Sequence, residues 1–234
     1  MEKIYKRWLN YISEEELKGY ERFGFGQRVG LGEKPCLLIV DLNNVYTKKE
    51  STFVYGNLID KALNKTSELL KECRKLNIPV IYVRSRRDRE SLLGIQAKKW
   101  GTVTRKELHT DNCYQFDKLI EPQENDIIIE KSKPSAFFNT TLENDLKFLK
   151  IDTLIICGTS TSGCVRSTVM DAFYRDYHII VPEECCGDRS KQAHINNLFD
   201  IDMKYGDVMN LDEVINLIKG EYSKVYEKKL RRNS

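Results

Sequence analysis

Nearly unbroken apolar runs alternate along this chain with segments of helical spacing, and this alternation limits the fold more than any other feature. The runs are Cys36-Leu37-Leu38-Ile39-Val40, Pro79-Val80-Ile81-Tyr82-Val83, Asp126-Ile127-Ile128-Ile129-Glu130, Thr153-Leu154-Ile155-Ile156-Cys157 and His178-Ile179-Ile180-Val181. Strands apolar on both sides are buried on both faces, which calls for parallel pairing with helices above and below. Residues 57–77 supply one such helix, with Leu58, Ala62, Leu63, Leu69, Leu70 and Cys73 on its inner side. Thr140 to Glu143 reads as a capping box opening a helix through Leu149. A helix around 190–201 and a short strand–helix pair near 207–219 follow. The predicted class is α/β: one three-layer α/β/α domain of Rossmann type around a mostly parallel sheet. At 234 residues the chain can bury one sizeable core.

Residues 1–30 read as an N-terminal arm, 31–222 as the domain and 223–234 as a basic C-terminal tail. In the arm, Tyr5, Trp8, Leu9 and Ile12 form the stripe of one amphipathic helix, ahead of Phe23-Gly24-Phe25-Gly26. Such an arm docks on its own body or on a neighbouring subunit. Residues 87–125 are charged and aperiodic, the character of a lid or binding loop, and Trp100 within them suits core and pocket wall equally. A net charge of +3 from interleaved acids and bases gives no nucleic-acid footprint. No apolar run is long enough to span a membrane, and no signal-peptide core is evident. Seven cysteines in that context point to a reducing, cytoplasmic setting rather than a disulfide framework. Cys185 and Cys186 accordingly read as two free thiols. There is no C-x-x-C, and His109, His178 and His194 are far apart, so neither a metal nor a cofactor is expected.

Cys164 closes Gly158-Thr159-Ser160-Thr161-Ser162-Gly163 directly after the fourth run, and Val165, Val169, Ala172 and Phe173 then space out as a helical face. The thiol is thereby expected in the first turn of a helix, where free N–H groups favour negative charge and raise thiol acidity. Functional side chains of open parallel sheets gather at the C-terminal ends of strands. Two more polar residues stand there, Asp41 after the first run and Lys131 after the third. Singly they pass for a helix cap, a solvated lysine and a core thiol. Together they are the parts of nucleophilic acyl chemistry. The carboxylate can take the thiol proton and return it to a leaving amine. The ammonium holds both anions in their charged forms, and loop amides can receive the oxygen of a tetrahedral intermediate. The residues alone leave two other classes open: a flavodoxin-like module cradling phosphate on the same loop, and a redox sensor in which Cys164 reacts without turnover.

Three long motifs surround these residues: Lys34-Pro35-Cys36-Leu37-Leu38-Ile39-Val40-Asp41, then Glu130-Lys131-Ser132-Lys133-Pro134-Ser135-Ala136-Phe137-Phe138-Asn139-Thr140, then Asp152 through Ala172. On these the chain resembles the isochorismatase-like cysteine hydrolases, with Asp41, Lys131 and Cys164 at the positions of their Asp-Lys-Cys triad. Gly24 through Gly30, Thr159 through Arg166 and Gly187-Asp188-Arg189 resemble the N-carbamoylsarcosine amidase group of that family, itself similar to maleamate amidohydrolases. The resemblance covers roughly residues 24–190. It implies a cysteine-dependent amidohydrolase that releases ammonia from a small carboxylate-bearing N-carbamoyl or amide compound through a Cys164 acyl or carbamoyl intermediate. It also implies a cis peptide between Thr159 and Ser160, an oxyanion hole from the amides of Ser160 and Cys164, and a homodimer or homotetramer. Arg189 stands where the group binds the substrate carboxylate, although the residues suit an ion pair with Asp188 equally well. Arg166 reads as structural or as a subunit contact. Metal-dependent nicotinamidases of the superfamily carry metal-site histidines between the first two strands, which this chain lacks. True isochorismatases lack the nucleophilic cysteine. Lys133-Pro134 is an unusual filling before Ser135.

Overall fold

The computed structural model describes residues 3–48, 57–86, 94–100 and 111–222. His109, the side chain of Trp100, residues 87–93 and 101–110 of the expected lid, and the basic tail lie outside the described residues. Among the described residues are seven strands: β1 (Pro35–Val40), β2 (Val80–Ser85), β3 (Ile127–Lys131), β4 (Thr153–Thr159), β5 (His178–Pro182), β6 (Cys186–Gly187) and β7 (Asp207–Met209). They form one sheet in the order β3-β2-β1-β4-β5-β7, with β6 added on β4, and every pairing is parallel. All five apolar runs are strands, and only the two-residue β6 has no counterpart in the pattern. The chain lays β2 and β3 outward from β1 and then returns to place β4 on the other side of β1. The β1–β4 junction is therefore the topological switch point, where open sheets of this type place their ligands.

The principal helices are α1 (Glu14–Arg22), α2 (Asn57–Lys75), α3 (Leu142–Phe148), α4 (Arg166–Phe173), α5 (Lys191–Lys204) and α6 (Leu211–Leu217). The two-residue period of β1 divides the core. Cys36, Leu38 and Val40 pack with residues of α3, α4 and α5, while Leu37 and Ile39 pack with α2 and α6. This is the three-layer arrangement expected from the sequence. At the sheet edge the pattern weakens: β3 ends the strand order among the described residues, and its Ile128 is exposed.

Three local expectations differ from the structure. The arm stripe does not lie on one helix: a short turn, Lys3–Lys6, ends early, and Ser13 starts α1 afresh through a capping box with Glu16. Tyr5 and Trp8 are buried against the body of their own chain, the Trp8 indole donating to Asp202 at 2.8 Å, whereas Leu9 is exposed. Thr140 and Glu143 do not form a capping box. The Thr140 hydroxyl donates to the Ala136 carbonyl, Thr141 is the N-cap, and Glu143 pairs with Lys147 and Arg175. On α4, Val165, Val169 and Ala172 are buried as expected, but Phe173 is exposed at its C-terminal end.

Candidate active site

Asp41, Lys131 and Cys164 meet at the C-terminal edge of the sheet, beside the switch point. β1 ends at Val40, and Asp41 turns out of the strand with φ of 54°, a left-handed conformation that aspartate adopts more readily than most residues. Its amide still donates to the Val83 carbonyl at 2.9 Å. On the neighbouring strand, Gly158 passes so close that an added Cβ would sit 1.9 Å from the Val40 carbonyl oxygen. Only glycine permits this approach, and its φ of 127° is likewise outside the range of other residues. The peptide between Thr159 and Ser160 is cis. The chain then makes a π-type turn, Thr161–Val165, that carries Cys164 and leads into α4.

Lys131, the last residue of β3, reaches back across the strand ends. Its Nζ lies 2.6 Å from Asp41 Oδ2 and 3.4 Å from Cys164 Sγ. Lys131 and Asp41 are 3% and 1% exposed, so the pair is desolvated and its geometry is fixed. Asp41 Oδ1 is buried and has no hydrogen-bond partner among the described residues. Burial works against the Lys131 ammonium, but Asp41 and Cys164 outweigh it and hold the group above the ordinary lysine range. Burial pushes the Cys164 thiol up to about 12; Lys131 pulls it down, and Asp41 pushes it up again. The acidic thiol expected at a helix start is thus not what the site holds. One buried ammonium already balances one buried carboxylate, and a thiolate would add a second anion with no partner. Burial and Asp41 therefore both favour the neutral form of the Cys164 thiol.

Amides around the thiol divide into two sets. Ser162 N donates to Asp188 Oδ2 at 2.7 Å, Gly163 N and Val165 N donate to the Ser160 carbonyl, and Arg166 N turns to carbonyls of the turn. The amides of Ser160 and Cys164 are not among these donors. Thr168 ties the site together: its hydroxyl donates to the Cys164 carbonyl at 2.7 Å and accepts the Ala136 amide at 3.0 Å. The motif after Lys131 is thereby fastened to the turn and helix that carry Cys164, and Ser135 adds a hydrogen bond to Asp171. After Asp41, the turn from Asn43 is stitched to residues 112–116: Asn44 N donates to the Gln115 carbonyl at 2.8 Å, and Asn43 Nδ2 to the Cys113 carbonyl at 3.1 Å. Phe116 packs on Tyr82 with ring centroids 4.9 Å apart. This part of the expected lid forms a fixed wall.

Arg189 is exposed at the same edge of the sheet, after β6. The two carboxylate oxygens of Asp188 accept the backbone amides of Ser162 and Arg189. Arg166 pairs with Asn197 and Asp200 of α5 within its own chain. All seven cysteines are free, Cys185 and Cys186 included. Among the described residues, no group of three or more His, Cys, Asp or Glu is placed to hold a metal ion, and no helix is long and apolar enough to cross a membrane.

A family model described as the isochorismatase domain matches residues 35–213, from the first residue of β1 into α6, and takes in all three residues of the cluster. The chain belongs to the isochorismatase family. It is similar to the N-carbamoylsarcosine amidase of an Arthrobacter species, 34% identical over 84% of this chain and 75% of that protein. It is also similar to the maleamate amidohydrolase of Pseudomonas putida, 32% identical over 83% of this chain and 92% of that one. Among solved structures, a cysteine hydrolase from Pseudomonas syringae pv. phaseolicola superposes with a TM-score of 0.76 at 23% identity, covering 82% of this chain and 96% of the other. The N-carbamoylsarcosine amidase of Thermoplasma acidophilum gives 0.64 at 26% identity, over 76% and 97% of the two chains. The protein is thus a hydrolase of this family.

Sequence reasoning found the three clustered residues but missed the groups that brace them. Asp188, Thr161 and His194 contact one another or the turn across 26 to 33 residues. No local pattern reports such contacts. Thr168, at i+4 from Cys164 on a helix, is the exception, because that spacing places a hydroxyl over the preceding carbonyl.

Proposed function

We propose that the protein is a cysteine-dependent amidohydrolase that cleaves the C–N bond of a small carboxylate-bearing amide or N-carbamoyl compound and releases ammonia. The observation that carries this reading is the buried Lys131 ammonium, shared between the Asp41 carboxylate and the Cys164 sulfur. In the first half-reaction Sγ attacks the carbonyl carbon as Asp41 takes the thiol proton. The unpartnered Oδ1 suits this transfer. The carbonyl oxygen gathers negative charge against the amides of Ser160 and Cys164. The C–N bond then breaks, Asp41 returns its proton to the nitrogen, and ammonia departs from a thioester-like intermediate. In the second half, water gives a proton to Asp41 and its oxygen to the carbon, and the C–S bond breaks as Cys164 regains its proton. Lys131 pairs with Asp41 and stabilises the sulfur as its proton leaves.

The two named relatives supply the substrate class, and Arg189 is the proposed ligand of the carboxylate, a role that suits a bidentate donor. The phosphate-cradle alternative is disfavoured by Asp188, because the turn already seats an anion on the Ser162 amide. The test is ammonia release from N-carbamoylsarcosine, maleamate, N-carbamoyl amino acids, nicotinamide and glutamine. Release from a carboxylate-bearing compound by the wild type, abolished in Cys164→Ala, is expected. Undiminished release by Cys164→Ala would overturn the mechanism.

A further inference from the structure

We propose that Asp188 is a positioning residue that sets the nucleophile turn for its oxyanion, an inference that rests on the amidohydrolase reading above. Asp188 follows β6 and is 1% exposed. Its Oδ2 accepts the Ser162 amide and its Oδ1 the Arg189 amide, each at 2.7 Å. β6 is paired with Gly158 and Thr159 at the end of β4, so the carboxylate is referenced to the strand that launches the turn. A second tie runs beside it. The Thr161 hydroxyl lies 3.2 Å from the Gly187 carbonyl and 2.8 Å from Nδ1 of His194 on α5. The two residues that open the turn are therefore held from outside, one by a carboxylate and one through a hydroxyl.

This arrangement has an electrostatic cost that needs a function. A site that must stabilise a developing oxyanion gains nothing from a buried carboxylate on an adjacent amide of the same turn. What Asp188 contributes is direction. It holds the Ser162 amide, and with Gly163 and Val165 committed to the Ser160 carbonyl, the turn that carries the Cys164 amide is fixed. Asparagine cannot reproduce the brace. It offers one oxygen and one NH2 group, so either the Ser162 or the Arg189 amide loses its acceptor, and a buried donor is left unsatisfied.

The experiment compares wild type, Asp188→Asn, Asp188→Glu and Thr161→Val, with folding checked by thermal melts. Ammonia release is measured on maleamate and N-carbamoylsarcosine. Inhibition is measured with succinic semialdehyde and with maleate. The aldehyde carbon accepts Sγ as the S–H proton passes to the carbonyl oxygen, which places a tetrahedral oxygen at the hole; maleate forms no such adduct. Asp188→Asn is expected to lower kcat about 10- to 100-fold, less than deletion of a hole donor, with KM within about threefold. Succinic semialdehyde should weaken in step with kcat/KM while maleate binds as before. Thr161→Val should show the same pattern to a smaller degree, and Asp188→Glu should recover part of the loss. A kcat within twofold of wild type in both Asp188→Asn and Thr161→Val would overturn the inference. So would parallel loss of maleate and semialdehyde binding, which marks collapse of the site rather than a misdirected hole. Failure of the wild type to release ammonia from any compound would instead sink the amidohydrolase reading, before any variant is made.

Discussion

Replacing Asp41 by asparagine should make Cys164 more acidic while stopping turnover. In the native site burial pushes the Cys164 thiol up to about 12, Lys131 opposes that, and the Asp41 carboxylate adds to it. The legs of 2.6 Å and 3.4 Å through Nζ put Asp41 Oδ2 no more than about 6 Å from Sγ. At an effective dielectric constant near 20, one charge at that distance raises the thiolate by about 3 kcal/mol. Removing it should bring the ionisation midpoint down by about two pH units. Near neutral pH the thiolate population then rises about 100-fold. Because nucleophilicity falls as a thiol becomes more acidic, alkylation should quicken by only about tenfold. The assay is the pH dependence of iodoacetamide labelling of the Cys164 peptide, read by mass spectrometry in wild type and Asp41→Asn. Ammonia release should fall by about 10²- to 10⁴-fold in the same variant, since the proton acceptor is gone. Removing one partner of a buried ion pair costs about 3–5 kcal/mol when nothing replaces it. Here ionised Cys164 replaces part of it, so the melting loss should shrink as pH rises. A labelling midpoint that stays put or moves upward would refute the charge balance argued here, whatever happens to turnover.

Two further expectations concern the frame around the site. Gly158→Ala places a methyl 1.9 Å from the Val40 carbonyl oxygen at φ of 127°, combining overpacking with backbone strain at about 2–6 kcal/mol. The β1–β4 register must open, so the melting temperature should fall by roughly 5–20 °C, with kcat falling alongside; an unchanged melt would show that the strands separate without penalty. His194 is held below its ordinary value by burial, which Asp188 partly opposes. A folded pKa below the unfolded 6.5 means stability that is intact above pH 6.5 and lost as pH falls toward the folded value. His194→Gln should therefore lose less melting temperature than wild type between pH 7 and pH 5; an equal loss would remove His194 from the acid response.

The sequence revealed what the period of a strand can carry and little of what tertiary contact decides. Each interior strand was readable because burial on both faces demands unbroken apolar residues, and Asp41, Lys131 and Cys164 stood out as polar groups where such runs stop. The arm misled because i, i+3, i+4 spacing measures amphipathicity only, whereas the Ser13–Glu16 capping box and the Trp8–Asp202 bond break the helix and turn Leu9 outward. Thr140 and Glu143 had a capping signature, yet both found other partners, Ala136 in one case and Arg175 and Lys147 in the other. The state of the thiol was the most instructive error. Position at a helix start argued for an acidic cysteine, and it was correct as geometry. It omitted burial, the largest cause of the raised thiol, and Asp41, which adds to it while holding the nearby ammonium.

The raised thiol explains why the proposed reaction calls for a general base. A cysteine beside an unpaired lysine at an open helix start can rest as a thiolate, ready to attack and exposed to oxidation. Here burial pushes the Cys164 thiol up, Asp41 adds to that, and the nearby lysine is paired with Asp41, all of which favour the neutral thiol. Attack then requires a proton acceptor within the site, and the buried, unpartnered oxygen of Asp41 is the group available for it. The proton it accepts is the one the leaving nitrogen needs, since an amide nitrogen departs poorly as an anion. In the proposed reaction the carboxylate that helps keep the thiol neutral is thus also the group that carries the proton from sulfur to ammonia. For that reason loss of Asp41 should separate two properties usually found together, raising the reactivity of the thiol as it abolishes the turnover of the enzyme.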